Sequence, residues 1–159
     1  MTKSGKRLIT KNIQIYNIST LGQLKEWCES AASSDFLSID TEFKWEKTYW
    51  PQLCLIQVAI PESVALVDTL SMKELGPLAS LLANSERLNL FHAAQQDLEV
   101  FELSGFEKFT NLFDCQIAAA LIGLDEQIGY GALVSKLLDI DLDKSQTRSD
   151  WTIRPLSAA

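Results

Sequence analysis

Apolar and polar positions change their period several times along the chain, and each change marks an element. An alternating stretch around Ile13 to Tyr16 predicts a short strand. Ser19 or Thr20 then caps a helix whose Leu21, Leu24, Trp27 and Cys28 fall on one face. FLSIDTEF, residues 36–43, alternates again and reads as a strand, with Leu37, Ile39, Thr41 and Phe43 on one side and Ser38, Asp40 and Glu42 on the other. Pro51 marks entry to QLCLIQVAI, whose nearly continuous hydrophobicity predicts a strand covered on both faces. A turn at Pro61, Glu62 and Ser63 leads to a third member of this group, VALVD.

From Met72 the period becomes helical, carried by Leu75, Leu78, Leu81 and Leu82, and it returns to strand character in RLNLF. A helix over Ala93 to Ser104 is stopped by Gly105. A strand-like NLFD and two further helices, through IAAALIG and ALVSKLL, complete the order. Consecutive strands followed by alternation with helices predict an α/β fold, a mixed β-sheet flanked by helices. No internal repeat, low-complexity tract or domain boundary interrupts residues 1–159, which read as one domain.

The acidic row of the 36–43 strand changes the picture from architecture to chemistry. Two carboxylates about 6 Å apart at an effective dielectric near 20 repel by roughly 3 kcal/mol, a cost relieved by solvent at an edge or by a cation in a cleft. Asp97, in FHAAQQDLEVF, is a third acid of interest: Leu98 and Phe101 place it at the margin of a buried helix face, where a favourable helix dipole and a functional role are both open readings. His92 is the only histidine and opens that segment, as a helix-start or core-packing residue or as a general base. Trp45, Tyr49 and Trp50 alternate with Lys44 and Lys47, a pattern that suits either stacking on a nucleic-acid base or covering a sheet edge. Asp68, Asp114 and Asp125 sit at element ends, where capping and turn roles suffice.

Composition narrows the classes. With 47% hydrophobic and 22% charged residues over 159 positions, the chain has the make-up of an ordinary globular domain. Cys28, Cys54 and Cys115 are odd in number and widely spaced, which argues against a disulfide framework or a zinc site and points to the cytoplasm. No run approaches the roughly 20 apolar residues of a membrane span. The net charge of −7 is the opposite of what phosphate-backbone binding favours, although Lys3, Lys6, Arg7 and Lys11 cluster at one end and Lys144, Arg148 and Arg154 at the other.

Taken in order, DTE within FLSIDTEF, TYWPQLCLIQVAI, FHAAQQDLEVF, NLFDCQIAAALIG, GYGALV and RSDWTIRPLS resemble ribonuclease D and the wider group of four-acid 3′-to-5′ exonucleases, over residues 36–159. The resemblance implies a ribonuclease H-like sheet and a two-metal hydrolysis of phosphodiester bonds at RNA 3′ ends, with precursor tRNA as substrate class. Asp40, Glu42 and Asp97 match the family's catalytic, metal-holding acids. Asp40 would bridge two Mg²⁺ or Mn²⁺ ions, with Glu42 and Asp97 each supporting one. His92 and Asp97 also form His-x-x-x-x-Asp, similar to the last motif of a histidine-using branch, but here the other strings continue beyond it. In the family, a Tyr-x-x-x-Asp motif on a final catalytic helix follows the string resembling DWTIRPLS. This chain ends at Ala159 before any such motif. The expectation is therefore an incomplete exonuclease domain without accessory helical domains, with open carboxylates and an apolar strip prone to self-association. An inactive remnant with weak metal or nucleic-acid binding is the alternative.

Overall fold

The computed structural model describes residues 13–45, 49–142 and 149–155. Six strands form one sheet in the order β1-β4-β3-β2-β5-β6. They are β1 (Gln14–Ile18), β2 (Phe36–Lys44), β3 (Gln52–Ile60), β4 (Ser63–Asp68), β5 (Leu88–Phe91) and β6 (Leu112–Asp114). Strand β3 is antiparallel to β2 and β4, while β1 with β4 and β2 with β5 and β6 run parallel. Five strands thus share one direction and β3 alone reverses it, the mixed α/β sheet anticipated from the pattern.

Five helices accompany the sheet: α1 (Leu21–Ala31), α2 (Gly76–Leu82), α3 (Gln95–Leu103), α4 (Cys115–Leu121) and α5 (Tyr130–Leu138). Thr20 is the cap of α1. Its hydroxyl accepts from the Gln23 N–H while the Gln23 side chain accepts from the Thr20 N–H, a closed capping box. Helix α2 begins at Gly76 and not at Met72, because Pro77 is tolerated only in a first turn. Helix α3 begins two residues later than the periodicity suggests, since Ala93 adopts a left-handed φ of 59°. Gly105, at φ 85°, follows its C-terminus as expected.

One core joins these parts. Leu24, Trp27 and Ala31 of α1, Leu78 and Leu82 of α2, and Val100 and Phe101 of α3 meet Ile18, Leu37, Ile56, Val58 and Val67 of the sheet. The Trp27 indole N–H also donates to Ser63 Oγ at 3.1 Å, tying α1 to the start of β4. Between Leu53 and Val58 of β3 nearly every side chain is buried, so this strand is covered on both faces. A second, smaller cluster of Ala119, Ile128 and Leu133 lies among α4, α5 and their connection. Outside it, Ile117, Leu121, Ile122, Tyr130, Leu137 and Leu138 remain exposed. Among the described residues no helix is long and apolar enough to cross a membrane.

Candidate active site

The register of the central strands creates an open end where acids can gather. Pairing of β2 with β5 stops at Ser38 and Leu90, so β2 runs on past β5 with Asp40 and Glu42 in its free stretch. Beyond β5 the chain turns at 92–94 into α3, which returns across β2 and brings Asp97 to Thr41. The region beyond the carboxyl ends of parallel strands is where open α/β sheets bind ligands. A β-bulge follows at once: Glu42 opposes Leu55 but Phe43 opposes Leu53, leaving Cys54 without a register partner. The bulge re-aims the strand immediately after its second acid.

Three carboxylates share this end of the sheet. Asp40 is exposed, Glu42 half-buried, and Asp97 only 8% exposed. Burial pushes the Glu42 carboxyl up from an ordinary 4.5 to about 7, helped by the negative fields of Asp40 and Asp97. Burial likewise raises Asp97 from 3.8 to about 6, against the Thr41 hydrogen bond that lowers it and with the field of Asp40 that raises it. The Asp40 pKa is also raised, first by the protein packed around it, while the Thr41 backbone N–H and the nearby His92 oppose the rise. Each acid is thus destabilised as an anion, and two of them by the others. A positive charge placed among them would relieve this cost.

Thr41 is the part of this arrangement that the alternating pattern misplaces. Its position assigns it to the apolar row with Leu37 and Ile39, and it is indeed buried. Its hydroxyl nevertheless donates to Asp97 Oδ1, because α3 packs on that face of β2 and presents Asp97 at its margin. No periodicity distinguishes a buried threonine that fills space from one that holds an acid.

His92 lies close enough to Asp40 for its charge to be felt there. Its Nε2–H donates to the Ile128 carbonyl at 3.0 Å and its ring meets Tyr130 edge-on, while Nδ1 is buried without a hydrogen-bond partner among the described residues. Packing at the entry to α3 accounts for these contacts. Among the aromatics, Trp45, Tyr49 and Trp50 are exposed, and the last two meet edge-to-face at 4.6 Å. Lys44 is engaged by Asp150 at 3.0 Å. Lys47, Lys144, Arg148 and the basic residues at 3–11 lie outside the described residues.

Arg154 is no solvated cation. It makes a paired contact with Asp68, Nε to Oδ2 and Nη2 to Oδ1 at 2.7 Å each, and donates to the Cys54 carbonyl at 2.9 Å. Asp68 and Asp114 do act at turns and caps, through Ser71 and Gln116, but each also reaches a distant element. Among the described residues Asp125 accepts locally, from the Gln127 N–H at 2.9 Å.

The donor chemistry at the sheet end suits a hard divalent cation: oxygen ligands, partly desolvated and mutually repelling. Among the described residues no three His, Cys, Asp or Glu side chains converge into a ready-made cage, so the fit rests on charge and ligand type.

Residues 15–159 match the model of a protein family described as 3′-5′ exonuclease. Ribonuclease D of Jannaschia sp. (strain CCS1) is 42% identical over 149 residues, which cover 91% of this chain and 39% of that protein. The chain therefore spans well under half the length of that curated relative. The crystal structure of Escherichia coli RNase D, an exoribonuclease involved in structured RNA processing, superposes with a TM-score of 0.86 at 37% identity, over 92% of this chain and 38% of that one. Trypanosoma brucei RNase D, solved in complex with RNA U12, shares the fold at a TM-score of 0.81 and 21% identity, over 92% of this chain and 56% of that one.

Proposed function

Because this chain belongs to the 3′-5′ exonuclease family, we propose that it is a ribonuclease D-like exonuclease domain that removes nucleotides from single-stranded RNA 3′ ends. The observation that carries this reading is the gathering of Asp40, Glu42 and Asp97 at the open end of β2, where α3 brings Asp97 to Thr41 and where the fields of the neighbouring acids raise Glu42 and Asp97. Water adds to the terminal phosphorus, the P–O bond to the preceding 3′-oxygen breaks, and that oxygen leaves with a proton, releasing a nucleoside 5′-monophosphate. Precursor tRNA is the substrate class we propose, following the resemblance of the sequence motifs to ribonuclease D. The free cysteines Cys28, Cys54 and Cys115 fit a reducing cytoplasm.

Asp40, Glu42 and Asp97 are the residues we assign to hold two divalent ions, Mg²⁺ or Mn²⁺, which when bound supply an activated water and neutralise charge on the leaving oxygen. The chain's own contribution is positional. The Thr41 hydroxyl fixes one oxygen of Asp97 and so orients its carboxylate. Asp40 stands at the solvent-accessible side of the cluster, while burial around Glu42 and Asp97 strengthens charge interactions there.

The test is a 5′-labelled single-stranded RNA incubated with the chain in Mn²⁺ and in chelator, beside Asp40→Ala. A metal-dependent ladder shortened from the 3′ end and abolished by Asp40→Ala is the expected result. A ladder that survives Asp40→Ala, or none from the unaltered chain, overturns the reading.

A further inference from the structure

The turn that delivers Asp97 is held from outside its own helix. Helix α3 has no side-chain cap: its N-cap is Ala94, and the residue before it, Ala93, sits at φ 59°, which alanine adopts only under constraint. The constraint comes from the next strand-to-helix unit. Asp114, at the end of β6, accepts the Ala93 N–H on Oδ1 at 3.0 Å and the Ala94 N–H on Oδ2 at 2.9 Å. The same carboxylate caps α4 through the Gln116 N–H at 2.8 Å. One side chain thereby caps α4 and binds the strained turn between β5 and α3 to the end of β6. The link is reinforced nearby, where the Ile128 carbonyl accepts both His92 Nε2–H and Gln116 Nε2–H, at 3.0 and 3.1 Å.

We propose that Asp114 is a positioning residue for Asp97. By holding Ala93 left-handed it sets where α3 begins, and the start of α3 decides whether Asp97, the third residue of that helix, reaches the Thr41 hydroxyl. A residue outside the acid cluster, with an ordinary capping role in the sequence, thus governs the geometry of the most buried acid in the site. Its effect on turnover rests on the nuclease reading above; its effect on Asp97 does not.

Three variants separate positioning from capping. Asp114→Ala removes both the turn anchor and the α4 cap. Adding Ala93→Gly to it supplies a residue that takes positive φ freely, without restoring the cap. Ala93→Val keeps Asp114 and the cap but places a β-branched residue where φ must be positive. The first readout is the backbone amide chemical shifts of Thr41 and Asp97 in metal-free protein, which depend on neither cleavage nor metal. They are expected to move in Asp114→Ala and in Ala93→Val and to return toward the unaltered values in the Asp114→Ala, Ala93→Gly pair. Where the unaltered chain cleaves RNA, kcat is expected to fall about 100-fold in Asp114→Ala with little change in KM, and Ala93→Gly to recover about tenfold of that loss.

Shifts confined to the first turn of α4, or a double variant that regains melting temperature but leaves Thr41 and Asp97 displaced, would overturn the inference and reduce Asp114 to a cap. An unaltered chain that cleaves nothing while the amide shifts behave as expected overturns the nuclease reading alone.

Discussion

The Thr41 hydroxyl donates to Asp97 Oδ1, joining a buried position of a central strand to the first turn of a helix 56 residues later in the chain. It is the direct tie between the two halves of the acid cluster. Thr41→Val keeps the shape and deletes the donor, so Asp97 loses a bond that lowers its pKa and should titrate above about 6. Carboxyl-carbon NMR in chelator reads this directly. The ionised Asp97, left one partner short, should destabilise the fold by about 1 to 3 kcal/mol at pH 8, and by less at pH 5, as urea unfolding at the two pH values can show.

The acid cluster should make the metal-free chain less stable as pH rises through neutrality. For both Glu42 and Asp97 the folded pKa lies above the ordinary one, so between the two values the folded chain binds more protons than the unfolded chain, and stability falls with rising pH. The interval runs from 4.5 to about 7 for Glu42 and from 3.8 to about 6 for Asp97. Asp68 and Asp114 are shifted the other way and lose their stabilisation only as pH falls below the ordinary carboxylate range. In chelator the melting temperature should therefore decline from about pH 5 to about pH 7.5. Glu42→Gln should flatten the upper part of that decline, and saturating Mn²⁺ should oppose it.

The paired contact between Arg154 and Asp68 fastens the described 149–155 segment to the C-terminal end of β4 and the start of β3. Both side chains are mostly covered, at 23% and 14% exposed, so this is more than a solvent-screened surface pair. Arg154→Ala should cost about 2 kcal/mol in urea unfolding. Arg154→Lys should recover little, since a single ammonium cannot address both carboxylate oxygens and the Cys54 carbonyl together.

Arg87 should prove as sensitive as any residue outside the acid cluster. It is 4% exposed and donates to the carbonyls of Ala32, Ser34 and Leu81, closing the C-terminal ends of α1 and α2 with one guanidinium. Arg87→Ala leaves three buried or part-buried carbonyls without that donor and should destabilise the fold by about 3 kcal/mol. A loss below about 0.5 kcal/mol, the range of an ordinary surface substitution, would show that water replaces the guanidinium without cost.

Periodicity is local, and what is local was legible. The alternation of 36–43, the unbroken apolar run of 52–60 and the helical stripe of Leu21, Leu24, Trp27 and Cys28 determine their elements because backbone geometry alone decides which side chains share a face. The Ser19–Thr20 pair bracketed the start of α1 and Gly105 the stop of α3 for the same reason, while the structure chose Thr20 and paired it with Gln23. The ordered strings around Asp40, Glu42 and Asp97 likewise point to the exonuclease family before any fold is known. Tertiary structure decided the rest. It ended the pairing of β2 with β5 at Ser38 and Leu90, placed a bulge after Glu42, turned Thr41 from filler into a partner of Asp97, and spent Asp68 on Arg154 and Asp114 on Ala93. Each of these joins residues distant in sequence, and their cause is the packing of one element on another. A one-dimensional pattern carries no record of which donor will meet which acceptor once water has been excluded between them.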